Sequence, residues 1–587
     1  MLFYVISILI IYISSMYLHF KNKKYFPKGY TIVRDVPKIK KRINILRDGY
    51  SKKKIPNNID VIVIGSGIGG LTLAGLLSKV GKKVLVLEQH YIAGGCCHTY
   101  NEHGYEFDTG IHYIGNIKKR QPVLDLITEN PITWSQLGRE DEKKVYDEII
   151  INEDKYKFPT GEEVLKKMLI KKFPHEKEGI IEYFRLVKDV SKQDLFFKLK
   201  ILRPKIFRDY AQKYLCKKYL EYSSLNTYKV IKSLIKDERL IAILCGQFGD
   251  IALLPEKSSF YIHASLVNHY FEGGYYPNGG PNEFARQIIP TIEKSGGRVL
   301  VRRKVDKIEI INSRAIGVTM ENGDFIKSKY VVSDAGIRNT FTNLVCEPVF
   351  QQKYSKLLKN VKPSMAYFYV FIGFNKSNGV LDLPTRNIWI YPNENHNNLD
   401  KFYKDPINEE PFVFLAFPSA KDSTWSSRFP DKSTCVALTI LPYDLFEKWE
   451  NDKCTNRSDD YKFYKNEIAK NILNKSLFKY YPETKKYIDE MNIATGLSTK
   501  FYINSQKGEC LGLEHTSERF MSKLLNPDTN VKNLFLTGQD IVSGGFTGAL
   551  TGAILCAHSI LGYCTPLDLL TGRNLISDLN FLELTKN

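Results

Sequence analysis

The clearest hydrophobic pattern in the chain is a strand–helix–strand unit that begins at residue 61. The branched apolar run Val61–Ile64 predicts a strand buried on both faces. The glycine-rich turn Gly65–Gly70 follows it, and apolar residues then recur at helical spacing up to a second apolar run, Val84–Leu87. A strand, a helix and a second strand in this order predict neighbouring parallel strands of an α/β sheet.

Further apolar runs predict strands later in the chain, with the dipeptide Asn322-Gly323 as the tight turn of a hairpin. From residue 121 to 267, apolar residues mostly recur every three or four positions, which predicts helices. This helical stretch contains no recognisable catalytic motif, and we expect it to cover the substrate. The predicted later strands are 298–302, 305–311, 315–319, 330–334, 366–374, 411–417, 434–441 and 533–536.

The first strand–helix–strand unit carries the residues that a dinucleotide requires. Gly65 permits the tight turn, Gly67 leaves room for a pyrophosphate beside the backbone, and Gly70 lets the helix pack close to the strand. The free N–H groups at the helix N-terminus favour phosphate. Glu88 ends the second strand, where its carboxylate can accept both hydroxyls of a ribose. Taken alone, this unit allows NAD and FAD equally.

Three later elements favour FAD over a nicotinamide cofactor. They are a Gly-Gly-x-x-x-Thr loop after the second strand, a strand whose backbone we expect to meet the adenine, and a C-terminal Thr-Gly-x-Asp sequence before a glycine-rich helix. That helix presents a second N-terminus to the cofactor. The residues predicted to bind FAD in these elements are Gly94, Gly95, Thr99, Val305, Gly538 and Asp540.

The order of these elements predicts a discontinuous α/β fold. A Rossmann-type FAD-binding domain with a parallel sheet is interleaved with an α+β domain that binds or caps the substrate. The FAD-binding domain is assigned to residues 58–120, 271–342 and 526–565, the substrate domain to 121–270 and 343–525, and a C-terminal tail to 566–587.

The first twenty residues predict a membrane anchor. Leu2–Phe20 is apolar apart from three serines and His19, and as a helix it would span about 28 Å, close to the hydrocarbon core of a bilayer. An uncleaved anchor is favoured over a cleaved signal peptide, because no cleavage site is evident. The lysines that follow favour the cytosolic side of the membrane, over the lumen, for the body of the protein. Residues 21–57 then form a basic linker.

The composition limits the kinds of molecule that the protein is expected to bind. The formal net charge is +20, but no basic run is interleaved with aromatic residues, so a nucleic-acid partner is not expected. Solvated lysine faces are the favoured explanation of this charge, and attraction to anionic membrane lipid is the alternative. The ten cysteines form no Cys-x-x-Cys pair, so the sequence predicts neither a metal site nor a dithiol redox motif.

Six motifs together resemble one family of flavoproteins, the retinol saturases, within the phytoene desaturase and carotenoid isomerase group. The resemblance covers about residues 58–565. The motifs are VLVLEQH (84–90), GGCCHT (94–99), EFDTGIHYIG (106–115), GGYYPNGG (273–280), FPSAKD (417–422) and NLFLTGQD (533–540).

This resemblance implies an FAD-dependent oxidoreductase that saturates one conjugated C=C bond of a retinoid, all-trans-retinol, at the endoplasmic reticulum membrane. It therefore implies an apolar polyene substrate and membrane lipid as partners, and NAD(P)H as a source of electrons. No second glycine-rich fingerprint follows a strand in the sequence, so the electron donor itself is unidentified.

The proton donor that such a reduction needs is not identified by any motif. His112 and Tyr113 are the nearest candidates, because they follow the turn expected beside the flavin, and Lys421 is a weaker one. Packing against the cofactor, or a buried hydrogen bond, is the favoured explanation of His112 and Tyr113. Other functions on the same fold are a carotenoid desaturase or isomerase, an amine oxidase, and a prenyl-lipid carrier without flavin, like the Rab GDP-dissociation inhibitors.

Overall fold

The computed structural model describes residues 44–562 and, ahead of them, position 14 alone. The strands are β1 (Val61–Ile64), β2 (Val84–Leu87), β3 (Thr99–Glu102), β4 (Tyr105–Asp108), β5 (Ile114–Gly115), β6 (Trp134–Gln136), β7 (Val145–Ile151), β8 (Asp154–Pro159), β9 (Gly274–Pro277), β10 (Arg298–Leu300), β11 (Val305–Ile311), β12 (Arg314–Met320), β13 (Phe325–Lys327), β14 (Tyr330–Ser333), β15 (Ala366–Phe374), β16 (Asn387–Tyr391), β17 (Val413–Ala416), β18 (Ser433–Leu441), β19 (Ile488–Ala494) and β20 (Leu534–Leu536).

The helices of eight residues or more are α1 (Ile68–Lys79), α2 (Ile117–Ile127), α3 (Glu162–Lys172), α4 (Lys177–Ser191), α5 (Lys205–Leu215), α6 (Lys217–Ser224), α7 (Thr227–Leu234), α8 (Glu238–Cys245), α9 (Phe260–Tyr270), α10 (Asn282–Lys294), α11 (Pro348–Asn360), α12 (Asp459–Lys475), α13 (Gly496–Ile503) and α14 (Gly545–Leu561). Shorter helical turns lie between them.

Three distant parts of the chain form one parallel sheet, in the order β10–β2–β1–β14–β20. Central strand β1 pairs Val61 with Val84 on one side and with Tyr330 on the other. All four residues of β1 are buried, as the unbroken apolar run predicts. The strand–helix–strand unit is therefore confirmed. The carboxyl ends of its strands meet at one edge, where open α/β sheets bind their ligands.

A second, seven-stranded sheet has the order β19–β15–β18–β17–β16–β7–β8 and is antiparallel except between β7 and β16. The predicted strands 366–374 and 434–441 are its second and third strands, β15 and β18. The expectation that residues 121–267 are mostly helical is wrong for 134–159, which contains β6, β7 and β8. Strand β7 is buried throughout although it carries Asp147 and Glu148, and these charges disguise it in the sequence.

Helices α3 to α9 occupy most of residues 162–270, which confirms the helical prediction for that part. Their inner faces are joined by aromatic contacts; the Tyr219 ring of α6, for example, packs edge-on against Tyr261 of α9 with centroids 4.7 Å apart. Helix α5 differs from the other helices of this group because it exposes several large apolar side chains. Ile206, Tyr210 and Leu215 on it are 79%, 66% and 65% exposed.

The predicted anchor, apart from position 14, and the tail 566–587 lie outside the described residues, and the basic linker is described only from residue 44. Within the part of the chain that is described, no helix has the length and apolar character that crossing a bilayer requires. The proposed domain boundaries stay predictions.

Candidate cofactor and substrate site

A cavity of about 950 Å³ is lined by residues from both sheets. This volume lies near the upper end of the range for ligand pockets, about 300–1,000 Å³. Residues predicted to bind FAD that lie in its wall are Gly65, Gly67, Glu88, Gly95, Val305 and Asp540. Gly70, Gly94, Thr99 and Gly538 lie next to these residues but are not part of the wall.

The glycine-rich turn is fixed by close backbone contacts. Gly65 has φ +105°, which other residues rarely adopt. A Cβ on Gly70 would lie 2.3 Å from the Gly65 carbonyl oxygen, so only glycine lets α1 approach the turn this closely. Gly67 has φ −60° and ψ 170°, an ordinary conformation, and it lines the cavity; a Cβ on it would lie 3.0 Å from Asp334 Oδ2.

Asp334, which no sequence motif marks, lies at the same turn. It follows β14, and its Oδ2 accepts a hydrogen bond of 2.8 Å from the Gly70 N–H. A Cβ on Gly69 would lie 2.6 Å from Oδ1 of the same carboxyl group. Burial raises the pKa of Asp334 to about 8, although the Gly70 N–H opposes this shift. The sequence indicates this residue only as an acid at the end of a predicted strand, where the carboxyl ends of the parallel strands meet.

Glu88 is held in one orientation at the end of β2. Its Oε2 accepts hydrogen bonds from the N–H and the hydroxyl of Ser66, at 2.9 Å and 2.8 Å. Its Oε1 accepts from the His90 N–H at 2.8 Å. Oε2 uses both lone pairs on Ser66, whereas Oε1 can still accept one hydrogen bond from a ligand, and the side chain lines the cavity. This position suits a ribose hydroxyl.

The Gly94–Thr99 loop packs against the glycine-rich turn. A Cβ on Gly95, which has φ +56°, would lie 2.8 Å from the Gly67 Cα. Behind the wall, the Thr99 N–H donates to Asn282 Oδ1 at 3.1 Å, which ties the loop to α10. Thr99 thus supports the loop from behind the cavity wall.

The C-terminal motif brings a second helix, α14, to the cavity. Asp540 accepts hydrogen bonds from the N–H groups of Ile337 and Leu513, at 2.9 Å and 3.0 Å. A Cβ on Gly552 of α14 would lie 2.3 Å from the Gly538 carbonyl oxygen. Gly538 therefore serves close packing, and Asp540 joins three distant segments around the cavity.

The residues present fit a dinucleotide such as FAD. The N-cap residues of α1 and α14, Gly67 and Gly544, both line the cavity and have no side chain to cap their helices. In the first turns, the Gly70 N–H donates to Asp334 and the Gly545 N–H donates to Gln539 Oε1. The other N–H groups of these turns can bind phosphate. Among the described residues, the hydroxyls of Thr537 and Thr547 are buried in the wall without a hydrogen-bond partner. They can bond to polar groups of a ligand.

Two of the candidate proton donors lie in the cavity wall, but neither is a free acid. Burial and the nearby charge of Lys421 lower the pKa of His112 to about 3, so its imidazole is neutral. The Tyr113 hydroxyl is turned towards two carboxyl groups. The Lys421 ammonium lies outside the wall and donates to the His112 carbonyl oxygen at 2.8 Å and to Asn387 Oδ1. Burial lowers the pKa of Lys421 to about 7.

Those two carboxyl groups belong to Asp147 and Asp250, neither of which stands out in the sequence. The Tyr113 hydroxyl lies 2.9 Å from Asp250 Oδ2 and 3.1 Å from Asp147 Oδ2. Asp250 lines the cavity beside the aromatic rings of Trp389 and Phe414. The only indication of Asp250 in the sequence is that it is an acid between two apolar helices, α8 and α9.

Comparison with known proteins agrees with this architecture. A family model described as an NAD(P)-binding Rossmann-like domain matches residues 63–129. Cyclohexylamine oxidase from Brevibacterium oxydans has the same fold, with a TM-score of 0.56 and 16% identity, covering 86% of this chain and 99% of that one.

Curated relatives cover nearly the whole chain. All-trans-retinol 13,14-reductase of Danio rerio is 38% identical over 88% of this chain and 88% of its own length. The Homo sapiens protein of that name is 35% identical over 92% and 90%. A Danio rerio relative named inactive all-trans-retinol 13,14-reductase is 34% identical over 90% of both chains. The chain therefore belongs to the all-trans-retinol 13,14-reductase family.

Proposed function

We propose that the protein is an FAD-dependent oxidoreductase that saturates a C=C bond of a retinoid, converting all-trans-retinol to its 13,14-dihydro form. One observation carries this proposal: a single cavity is lined by the dinucleotide-type features of the five-stranded sheet and by an aromatic chamber formed by rings of the seven-stranded sheet. When bound there, reduced FAD supplies a hydride to the conjugated chain. The protein must bind and orient the cofactor, hold the polyene and exclude water.

The glycine-rich turn and Glu88 bind and orient the adenosine half of the cofactor, and the N-terminus of α14 faces its polar centre. The aromatic chamber holds the polyene and excludes water, since its wall is formed by large buried rings. Those rings belong to Tyr367, Tyr369, Trp389 and Phe414. Fixing an apolar chain between such rings favours one orientation for reaction.

We propose that the protein works at the endoplasmic reticulum membrane, anchored by Leu2–Phe20, with its body on the cytosolic side. Helix α5 supports a lipid contact, because its exposed residues Ile206, Tyr210 and Leu215 lie among lysines. The preceding turn Leu195–Leu199 contacts α5, and its Lys198 is an exposed residue of the cavity wall. An apolar substrate could therefore pass from lipid to the cavity over a short distance.

The electron donor is proposed to be a separate NAD(P)H molecule or a redox partner. The glycine-rich fingerprint that follows a strand is already assigned to FAD. NAD(P)H would thus bind at a site other than this fingerprint, or would reduce the flavin during a brief encounter.

The purified full-length protein tests the proposal. We expect the purified protein to be yellow. When it is reduced without oxygen and mixed with all-trans-retinol, the absorbance maximum of the polyene should shift to shorter wavelength. Mass spectrometry should then show a product that is two hydrogens heavier. Because one family member is named inactive, this assay is decisive. A colourless folded protein, or unchanged retinol, would refute the proposal. A product of unchanged mass but altered geometry would indicate an isomerase instead.

A further inference from the structure

We propose that Asp250 is the acid that protonates the polyene, and that Tyr113 and Asp147 position it. Saturation of a C=C bond adds a hydride and a proton, and no donor of this proton has been assigned. The inference rests on the proposed function and names the residue that completes the reaction.

The local fold fixes Asp250 at the aromatic chamber of the cavity. It lies in the helical turn Phe248–Ile251, in which a Cβ on Gly249 would come within 2.5 Å of the Trp389 ring. The Tyr367 hydroxyl donates to the Gly249 carbonyl oxygen at 2.7 Å. Both contacts hold the turn against the chamber that we assign to the polyene.

Counting protons places a hydrogen on one of the two acids. The Tyr113 hydroxyl has one hydrogen but lies within hydrogen-bond distance of a carboxyl oxygen of both Asp147 and Asp250. It can donate to only one of them. The other contact is a hydrogen bond only if that carboxyl is protonated and donates to the Tyr113 oxygen.

Asp147 is the acid that stays ionised. Its Oδ2 accepts from Gln247 Nε2 at 2.7 Å, and its Oδ1 accepts from Asn387 Nδ2 at 2.9 Å. The Asn387 amide cannot be reversed, because its Oδ1 accepts from the Lys421 ammonium. Asp147 therefore uses both oxygens as acceptors, Tyr113 donates to it, and the proton belongs to Asp250.

Burial raises the pKa of both acids, but the hydrogen bonds from Asn387 and Gln247 oppose this shift for Asp147, which agrees with the assignment. Burial, together with the negative charge of Asp147, raises the pKa of Asp250 to about 7. The titratable groups that surround it are Asp147 and Tyr146 on β7, Tyr113, Tyr270 on α9, Tyr367 on β15, Tyr391 on β16 and Lys421. The tyrosines are neutral, because burial raises the pKa of each well above its usual value.

The step then balances. Once one carbon of the double bond has accepted a hydride, which reduced FAD would supply, the electron pair left on the conjugated chain forms a C–H bond with the Asp250 proton. The Asp250 O–H bond breaks and a carboxylate remains. The Tyr113 hydroxyl can turn from Asp147 to this carboxylate and stabilise the new charge, and water restores the proton after the product has left.

The test uses the full-length protein loaded with FAD and compares Asp250→Asn with wild type. Glu256→Gln is the matched control, because Glu256 is an exposed acid on the same segment and is not part of the cavity wall. With the flavin reduced beforehand, we expect D250N to slow the single turnover of all-trans-retinol about 100-fold or more, since general acids contribute about 10²–10⁴-fold. FAD content and the Kd for retinol should match those of wild type.

An infrared spectrum provides a readout that does not depend on turnover. Below about pH 7, wild type minus D250N should show the C=O band of a neutral carboxylic acid. Asp250→Glu should restore part of the rate, and Tyr113→Phe should shift the pH profile.

The outcomes separate the two hypotheses. Normal turnover by D250N, or a missing neutral-acid band, overturns the role of Asp250 and leaves the proposed function standing. A wild type that reduces no polyene overturns the function and this role with it. If D250N fails to bind FAD, the wild-type pH profile decides: the rate must fall above about pH 7, and a flat profile overturns the proposal.

Discussion

The Asp334 carboxyl accepts a hydrogen bond of 2.8 Å from the Gly70 N–H, at the N-terminal end of the helix that should bind the cofactor pyrophosphate. A neutral acid can share this site with a diphosphate, but a carboxylate repels it. The protonation state of Asp334 should therefore control how tightly FAD binds.

We expect the FAD affinity of the apoprotein to fall by about tenfold per pH unit above about pH 8. The sign follows from the pKa of Asp334, which burial raises to about 8: below it the acid is neutral, and above it binding requires uptake of a proton. Asp334→Asn should make the affinity independent of pH. Titrations monitored by flavin fluorescence measure both proteins, and parallel pH profiles would contradict the prediction.

Gly67→Val should abolish FAD binding without unfolding the protein. Gly67 has backbone angles that any residue can adopt, so the substitution tests the space beside the turn and not backbone strain. Gly379→Val is the control, because nothing lies within 4 Å of a Cβ there. Flavin content after purification and the circular dichroism spectrum provide the readout. A G67V protein that retains its flavin would refute the role of the turn.

Glu88→Gln should weaken FAD binding by about tenfold to a hundredfold, equivalent to about 1–3 kcal/mol. The side-chain amide must place its NH₂ group against an N–H of Ser66 or His90, since both carboxylate oxygens now accept from backbone donors. Calorimetric titration of the apoprotein measures the change. The control is Glu102→Gln, since Glu102 is an exposed acid, and this change should leave the FAD affinity unaltered. An equal loss of affinity in both variants would show that the loss does not depend on the Glu88 contacts.

The lipid contact proposed for α5 predicts a dependence on how retinol is delivered. The triple change Ile206→Ser, Tyr210→Ser and Leu215→Ser should slow reduction of retinol held in anionic vesicles, but not of retinol carried by cyclodextrin. A control with Val349→Ser and Phe463→Ser removes similarly exposed apolar groups elsewhere. Equal rates from vesicles in all three proteins would exclude α5 as the lipid contact.

The sequence determined the nucleotide half of this molecule because its signals are local. An unbroken apolar run makes a buried strand, and glycines at fixed spacing make the turn, so the order of residues alone is enough to place Gly65, Gly67 and Glu88. The FAD assignment needed more of the chain, yet each element again carried its own pattern.

Only the tertiary structure could reveal what surrounds Asp250 and Asp334, and therefore what they can do. An isolated acid has no periodicity or motif, and its chemistry depends on what surrounds it after folding. Tyr113, Asp147 and Asp250 meet although 34 and 137 residues separate Tyr113 from the two acids. Burial then changes the pKa values of acids that would be ordinary in solvent. The chain dictates where a nucleotide binds, whereas long-range packing decides which acid can hold a proton beside the substrate.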